Sequence, residues 1–293
     1  MKILVTGHQG FIGSHFWDHF LKASGDHELV GVDIKSGHDV RDFCRTSDER
    51  FDLVVHCAAV IGGREMIDGN PLGVAINLAL DAEMFNWALK TRPDRFVYFS
   101  SSAAYPIEYQ NGNFAPLSES QINLHSPKMP DQTYGWAKLT GEMLVEQAKR
   151  DGLNVFTFRP FSGYGTDQSL DYPFPSFVDR ASRRVPKFEI WGDGQQSRDF
   201  IHVDDIIGAV LAALDHDIQE PINLGSGIAT SFNELADLVV SAVGGSYKPE
   251  IVHLTEKPVG VMHRICNPSK LESFYKLKVD LKEGVRRAIA GDL

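Results

Sequence analysis

The sequence predicts an α/β fold: a doubly wound parallel sheet with a smaller C-terminal domain interleaved into it. Two observations carry this. Short apolar runs alternate with helical stretches through the first half of the chain, the rhythm of successive βαβ units. The first run, Ile3-Leu4-Val5, leads straight into the glycine-spaced string Thr6-Gly7-His8-Gln9-Gly10-Phe11-Ile12-Gly13, which reads as strand, turn and helix start. Strands are expected at Lys2–Val5, Leu29–Asp33, Leu53–His56, Phe96–Ser100 and Val155–Arg159. Helices are expected at Phe11–Ala23, Val74–Lys90 and Thr133–Arg150, with Asp131 as N-cap of the last. Pro106–Pro130, rich in Pro, Asn, Ser and Gln without period, reads as a long surface loop. Beyond Arg159 the pattern is mixed. A helix opens at Pro173–Val178, a strand follows at Lys187–Trp191, and His202–Leu214 returns to the first domain as a helix. Ile222–Leu224 is a strand, and Ser231–Val243 a helix with Ser231 as cap. Residues 1–160, joined by about 200–225, thus form the large domain, and 161–199 with 226–293 the small one.

The glycine string is a candidate phosphate cradle. A helix N-terminus aims free N–H groups, and about half a positive charge, at one spot. Gly7 permits the tight turn, Gly10 lets a pyrophosphate approach the backbone, and Gly13 lets the helix pack on the strand. Asp33 ends the next apolar run, roughly 20 residues past Gly13, where an acid receives the adenosine ribose hydroxyls. That charge repels a 2′-phosphate and favours NAD over NADP; nearby Lys35 works the other way.

A second string, Tyr134-Gly135-Trp136-Ala137-Lys138, puts a phenol and an ammonium four apart on one helix face. Free tyrosine has a pKa of about 10, too high for a base at neutral pH, and an adjacent cation lowers it. The run Phe96-Val97-Tyr98-Phe99 delivers Ser100-Ser101-Ser102 to a strand end, where open α/β sheets bind ligands. A serine there can hold a substrate oxygen.

These strings together resemble the extended short-chain dehydrogenase/reductase family, specifically its nucleotide-sugar epimerases and dehydratases, which are Rossmann-like. The resemblance covers nearly the whole chain. It includes T-G-x-x-G-F-I-G, Asp39-Val40, His56-Cys57-Ala58-Ala59, the serine strand end, Y-x-x-x-K and Arg159-Pro160-Phe161-Ser162-Gly163-Tyr164-Gly165. Its most specific part is Gly192-Asp193-Gly194 through Arg198-Asp199-Phe200-Ile201-His202-Val203-Asp204-Asp205. The resemblance implies NAD held by Gly7, Gly10, Phe11, Ile12, Gly13, Asp33, Asp39, Val40, Ala58, Tyr134 and Lys138. It implies Tyr134 as acid/base, Lys138 as its electrostatic partner and Ser101 as the substrate-oxygen group, with Ser102 as the fallback. A nucleotide-diphosphate sugar would be held by Ser162, Arg198 and Arg264, the arginines gripping the diphosphate. It also implies a homodimer through the helices near Val74–Lys90 and Thr133–Arg150. Phe85, Trp87, Met143 and Leu144 could supply that face or belong to the core.

Departures from the family's patterns narrow the reaction. The Asp-Glu pair of its dehydratases is replaced by Ser102 and Ala103. The Cys of its 3,5-epimerases, including the GDP-fucose synthase-like group, is Ala103, and their His falls near Tyr172. Ala104-Tyr105-Pro106 and the K-P-x-G-x-x-x-R string nevertheless look closest to that group. The usual Asn of R-P-x-N is Ser162. Ser, Tyr, Lys and NAD remain, a set that suffices for epimerisation at C4 through a 4-keto sugar. It suffices equally for a 4-keto-sugar reductase. A non-catalytic NAD sensor on the same fold is a third alternative, separated from both by the absence of turnover.

The 293 residues allow one large domain or two small ones, and a net charge of −10 without a basic run argues against nucleic-acid or anionic-membrane binding. No apolar run approaches the ~18 residues of a membrane span. The chain opens on a core strand rather than a secretory leader, so a cytoplasmic location is expected. Cys44, Cys57 and Cys266 are far apart and show no metal spacing, and the histidines show none either. His8 is expected to be a solvated loop residue. His202 is expected to bond neighbouring backbone.

Overall fold

The computed structural model describes residues 1–23, 25, 27–62, 69–112 and 115–291. Its main sheet has six strands: β1 (Lys2–Thr6), β2 (Glu28–Val32), β3 (Leu53–His56), β4 (Arg95–Phe99), β5 (Val155–Pro160) and Ile222–Leu224. All pair in parallel, in the order 222–224, β5, β4, β3, β1, β2. The chain steps from β1 outward to β2 and then back across β1 to β3. That reversal opens a crevice at the carboxyl ends of β1 and β3, where such sheets bind ligands.

Both sheet faces are covered, so the strands are apolar throughout rather than alternating. On one face Ile3, Val5, Val55, Val97 and Phe156 pack against Phe16 and Phe20 of α1 (Phe11–Lys22) and Ile206 and Val210 of the helix Val203–Asp215. On the other, Leu4, Val54, Phe96 and Tyr98 meet α2 (Val40–Thr46), α3 (Pro71–Thr91) and α4 (Gln132–Arg150). A separate core joins Tyr164, Phe174, Phe177, Phe188, Phe200, Phe232 and Leu235. The strands Lys187–Trp191 and Glu250–Leu254 pair in parallel beside it. No helix among the described residues is long and apolar enough to cross a membrane.

Several expectations are corrected. The 106–130 stretch, of which Asn113 and Phe114 lie outside the described residues, does run largely at the surface as expected, but it is docked there at several points. Gln110 and Leu117 are fully buried, and Leu117 N–H donates to Ile265 O at 2.8 Å. Its polar composition serves this docking: side chains replace the missing ladder partners, as where Gln110 Nε2 donates to the Tyr105 and Pro106 carbonyls. Phe85 and Trp87 are buried within the chain, Trp87 donating to Ser47 O at 2.9 Å, so they supply no dimer face. His8 is half-buried rather than a solvated loop residue. Its ring lies 4.9 Å from Trp17, and it fills the space above Gly31. His202 does bond local backbone, Nδ1 accepting from Asp204 N–H at 3.2 Å. Ser231 caps its helix in a reciprocal box with Glu234. The helix Val40–Thr46, the strand Glu250–Leu254 and the helix Leu281–Ala290 had no sequence-based expectation.

Candidate active site

The cradle forms where β1 ends. Gly7 takes φ +69°, a left-handed conformation that glycine adopts without strain. Its N–H donates to Val32 O, and Gly10 N–H donates back to Gly7 O at 2.9 Å. A Cβ on Gly7 would meet the backbone of Cys57 and Ala58 at 2.8–2.9 Å, so the turn and the end of β3 touch backbone to backbone. Gly13 likewise has no room for a side chain against the Gly7 carbonyl. Gly10 is the N-cap of α1 and brings no capping side chain. The first-turn N–H groups are therefore left to an outside acceptor. Phe11 lies against Gly163 and Gly165, and Ile12 packs on the core.

Asp33 is 5% exposed. Its Oδ2 accepts from Gln9 N–H and its Oδ1 from Lys35 N–H, both at 2.8 Å. The acid is thus tied to the glycine turn through Gln9, whose carbonyl accepts from Lys35 Nζ at 2.7 Å. Asp39 caps α2 through Arg41 N–H and grips the Arg41 guanidinium, which holds its carboxyl below the usual range. Val40 is buried, and Ala58 N–H donates to Thr6 Oγ1 at 3.3 Å. A backbone turn without Cβ atoms, an uncapped helix start and a carboxylate one strand over fit a dinucleotide.

The second cluster forms where β4 ends. Ser101 Oγ accepts from Ala103 N–H at 3.1 Å, and Ser101 stands near enough to the Tyr134 phenol to favour its ionised form. Burial pushes the Tyr134 phenol up to about 12, against the pull of Ser101 and the more distant Arg264. This reverses the expected downward shift. Lys138, 4% exposed, lies one helical turn on, but its ammonium donates to Phe99 O at 2.9 Å and sits 5.3 Å over the Tyr98 ring. The structure thus places Tyr134 beside Ser101 and holds the Lys138 ammonium on the Phe99 carbonyl of β4.

Below Lys138 runs a chain of buried polar groups not singled out in the sequence. Thr6 Oγ1 is 2.7 Å from His56 Nδ1, His56 Nε2 is 3.3 Å from Asp81 Oδ1, and Tyr98 hydroxyl donates to Asp81 Oδ2 at 2.6 Å. Burial disfavours the Asp81 charge, but Lys138, His56 and Tyr98 outweigh it and hold the carboxyl below its ordinary value. One signal was available: an acid at a position that shares the apolar face of α3 with Met84, Phe85 and Ala88. A second chain stands behind Ser101. Ser100 Oγ donates to Glu142 Oε1 at 2.5 Å, and Glu142 takes a two-point hold from Arg159, at 2.8 and 2.6 Å. Glu142 follows Lys138 by four residues, so its face was legible.

Of the residues expected on the substrate side, Ser162 is half-buried in the short strand Ser162–Tyr164. Arg198 (strand Ser197–Arg198) and Arg264 (strand His263–Arg264) are register partners on adjacent parallel strands. Arg198 donates to the carbonyls of Ser197, Val259 and Val261. Arg264 is held differently from expectation. Its Nη2 donates to Asp131 Oδ2 at 2.5 Å and its Nε to Gln110 Oε1 at 2.6 Å. Asp131 does stand at the N-cap of α4, but its side chain makes no cap hydrogen bond. The next residue, Gln132, is left-handed at φ 54°, a conformation that costs a non-glycine residue roughly 1–2 kcal/mol.

Fold and glycine turn define a dinucleotide-binding α/β protein. The chain belongs to the NAD dependent epimerase/dehydratase family, whose sequence profile matches residues 3–225. NAD is the cofactor of that family. The chain is similar to GDP-mannose 3,5-epimerase of Arabidopsis thaliana, at 29% identity over 313 residues, covering 98% of this chain and 80% of the relative. It is also similar to the dTDP-4-dehydro-6-deoxy-D-allose reductase of a Streptomyces species, 28% identical over 92% of this chain and 89% of that one. A solved UDP-glucuronic acid 4-epimerase from Bacillus cereus, in complex with UDP-glucuronic acid and NAD, superposes with a TM-score of 0.82 at 25% identity. That match covers 99% of this chain and 98% of that one. The chain is therefore a member of a nucleotide-sugar epimerase, dehydratase and reductase family.

Proposed function

We propose that this protein is an NAD-dependent epimerase acting at C4 of a nucleotide-diphosphate sugar. The observation that carries the reading is Tyr134 standing beside Ser101 at the end of β4, with Lys138 one turn behind. Beside it the chain offers Ser102 and Ala103, not a carboxylate pair or a thiol. When bound, NAD supplies a hydride acceptor and, in the same site, a hydride donor. Gly7, Gly10, Gly13 and the start of α1 would hold its pyrophosphate. Asp33 would hold the adenosine ribose, Asp39 and Val40 the adenine, and Lys138 the nicotinamide ribose, with Phe11, Ile12 and Ala58 lining the turn.

Ser101 holds the sugar 4-oxygen, and Tyr134 takes the 4-hydroxyl proton as that carbon is oxidised. Because burial raises the Tyr134 phenol, that step needs the phenol brought down, the role given to the Lys138 ammonium one turn on. The 4-keto sugar turns in its pocket, and Tyr134 returns the proton when the opposite face is reduced. Ser162, Arg198 and Arg264 would hold the nucleotide-sugar portion. The cycle is redox-neutral, which suits a cofactor kept in place.

NMR of the purified protein with UDP- and GDP-hexoses and UDP-glucuronate, no cofactor added, tests the reading. A C4 epimer is expected, and Tyr134→Phe should abolish it while NAD stays bound. Near-normal turnover of that variant overturns the mechanism. A second reading, a nucleotide-4-keto-sugar reductase, is favoured by Lys35, two residues from Asp33 with its ammonium on the Gln9 carbonyl, a cation that suits a 2′-phosphate. Conversion only after NAD(P)H and a 4-keto sugar are supplied assigns that activity instead. The same proposal takes the protein as a cytoplasmic homodimer. Trp136, 38% exposed on α4, supports an assembly face there, and light scattering gives the mass.

A further inference from the structure

We propose that Arg264 and Asp131 form a positioning pair that sets Tyr134 against Ser101, so that the strand carrying Arg264 governs the first turn of α4. The inference rests on the reading of Tyr134 as the acid/base. Four observations support it.

Asp131 is fixed at two points. Its N–H donates to Ala103 O at 3.0 Å, two residues beyond Ser101, and its carboxylate takes Arg264 Nη2 at 2.5 Å. The pair is shielded, with side-chain exposures of 14% for Arg264 and 4% for Asp131. Arg264 is itself anchored. Its Nε holds Gln110, a fully buried residue whose carbonyl accepts His263 N–H at 2.9 Å. Gly135, one residue past Tyr134, has no room for a Cβ against Ala103 O, so the first turn of α4 is seated directly on the serine strand end.

Between these fixed points lies Gln132 at φ 54°. A non-glycine residue stays left-handed only where its surroundings over-determine it. Asp131 provides the hold on the N-terminal side. An aspartate at this position would ordinarily cap the helix, yet here its carboxylate is given to an arginine that comes 133 residues later in the chain. Freed of Arg264, Asp131 can turn back to cap α4. Gln132 then relaxes, and the first turn rotates with Tyr134 on it. Arg264 faces Arg198 in register, so a ligand that shifts these strands is felt at Tyr134.

The test compares Asp131→Asn, Arg264→Gln and Arg264→Lys with wild type, in full-length protein. Wild type is first assayed both for C4 epimerisation and for reduction of a 4-keto sugar. Failure of epimerisation there sinks the function reading alone. The pair is then judged by variant-to-wild-type ratios in whichever turnover wild type performs. Asp131→Asn and Arg264→Gln should lower kcat about 10- to 100-fold, with NAD affinity within about twofold of wild type, and Arg264→Lys should recover part of the loss. Adding Gln132→Gly to Asp131→Asn should restore kcat severalfold, because glycine holds a positive φ without strain. Hydrogen exchange gives a readout independent of turnover. Amides over 132–138 should exchange faster in Asp131→Asn, while those of α1 are unchanged. An unchanged kcat, a loss that Gln132→Gly leaves untouched, or exchange raised across the whole chain overturns the proposal.

Discussion

Gly7→Ala tests the cradle with a cost that can be worked from geometry. Two penalties add. Alanine at φ +69° costs about 1–2 kcal/mol. Its Cβ would also lie 2.8 Å from Ala58 N, 2.9 Å from Ala58 Cα and 2.9 Å from the Cys57 carbonyl carbon. These are backbone atoms at the end of a central strand, and they cannot swing aside as a side-chain tip would. Overpacking of that kind costs about 1–3 kcal/mol. The sum is about 2–5 kcal/mol, and at about 2 °C per kcal/mol for a chain of this size the midpoint should fall by roughly 4–10 °C. NAD affinity should fall further than stability alone accounts for, since the turn that aims the α1 N–H groups must move. Each 1.4 kcal/mol lost there is about tenfold in Kd. The control is Gly152→Ala. It carries φ +86°, but the nearest atom to its Cβ, on the Arg92 guanidinium, is 3.8 Å away. Only the conformational penalty applies, with NAD binding unchanged. Calorimetric melting with and without NAD, and quenching of protein fluorescence by NADH, measure both effects. Equal melting of the two variants, or NADH affinity for Gly7→Ala within about threefold of wild type, would refute the backbone-contact argument.

Glu142→Gln leaves the Arg159 guanidinium buried without its counter-charge, with side-chain exposures of 3% and 2% in the native pair. It should cost about 3–5 kcal/mol in urea unfolding, and less than 1 kcal/mol would show that the pair is not buried in solution. Asp81→Asn removes a negative charge that raises the Tyr134 phenol. The pH–rate profile should therefore move to lower pH, and a move upward would exclude Asp81 from the field at Tyr134. His15 and Asp167 make a partly exposed pair at 3.1 Å between α1 and the 165–172 stretch. Burial lowers His15, but the hydrogen bond and charge of Asp167, with Asp204 and Asp18, outweigh it and raise the pKa above its ordinary value. Asp167 is held below its own ordinary value because His15 outweighs its burial. The His15 share of stability is complete below pH ~6.5 and lost as pH rises through the raised pKa, while the Asp167 share is lost as pH falls through the lowered one. Solvent screening limits the whole to under about 1 kcal/mol. His15→Gln should flatten the melting temperature between pH 6 and 8, and an unchanged slope would assign it to other groups.

The large sheet was legible in the chain's apolar runs, and so was the spacing of the candidate site residues on it. Leu53–His56, Lys187–Trp191 and Ile222–Leu224 have the bounds that their apolar runs predict. The glycine turn, Asp33, Ser101 and the Tyr134–Lys138 face are likewise local, because turn geometry and helical spacing reside in neighbouring residues. Short-range signals carry no information about which distant group will meet a side chain. Only the tertiary structure gave Asp131 to Arg264 instead of its own helix, although its place before α4 reads as a cap. Only it seated the polar 106–130 stretch against 262–267, and put Lys138 on the Phe99 carbonyl above Asp81. Burial decided the Tyr134 phenol as well. The lysine four residues on argues for a lower pKa, but desolvation by the surrounding protein drives it up, and desolvation depends on the whole fold rather than on the spacing of two residues.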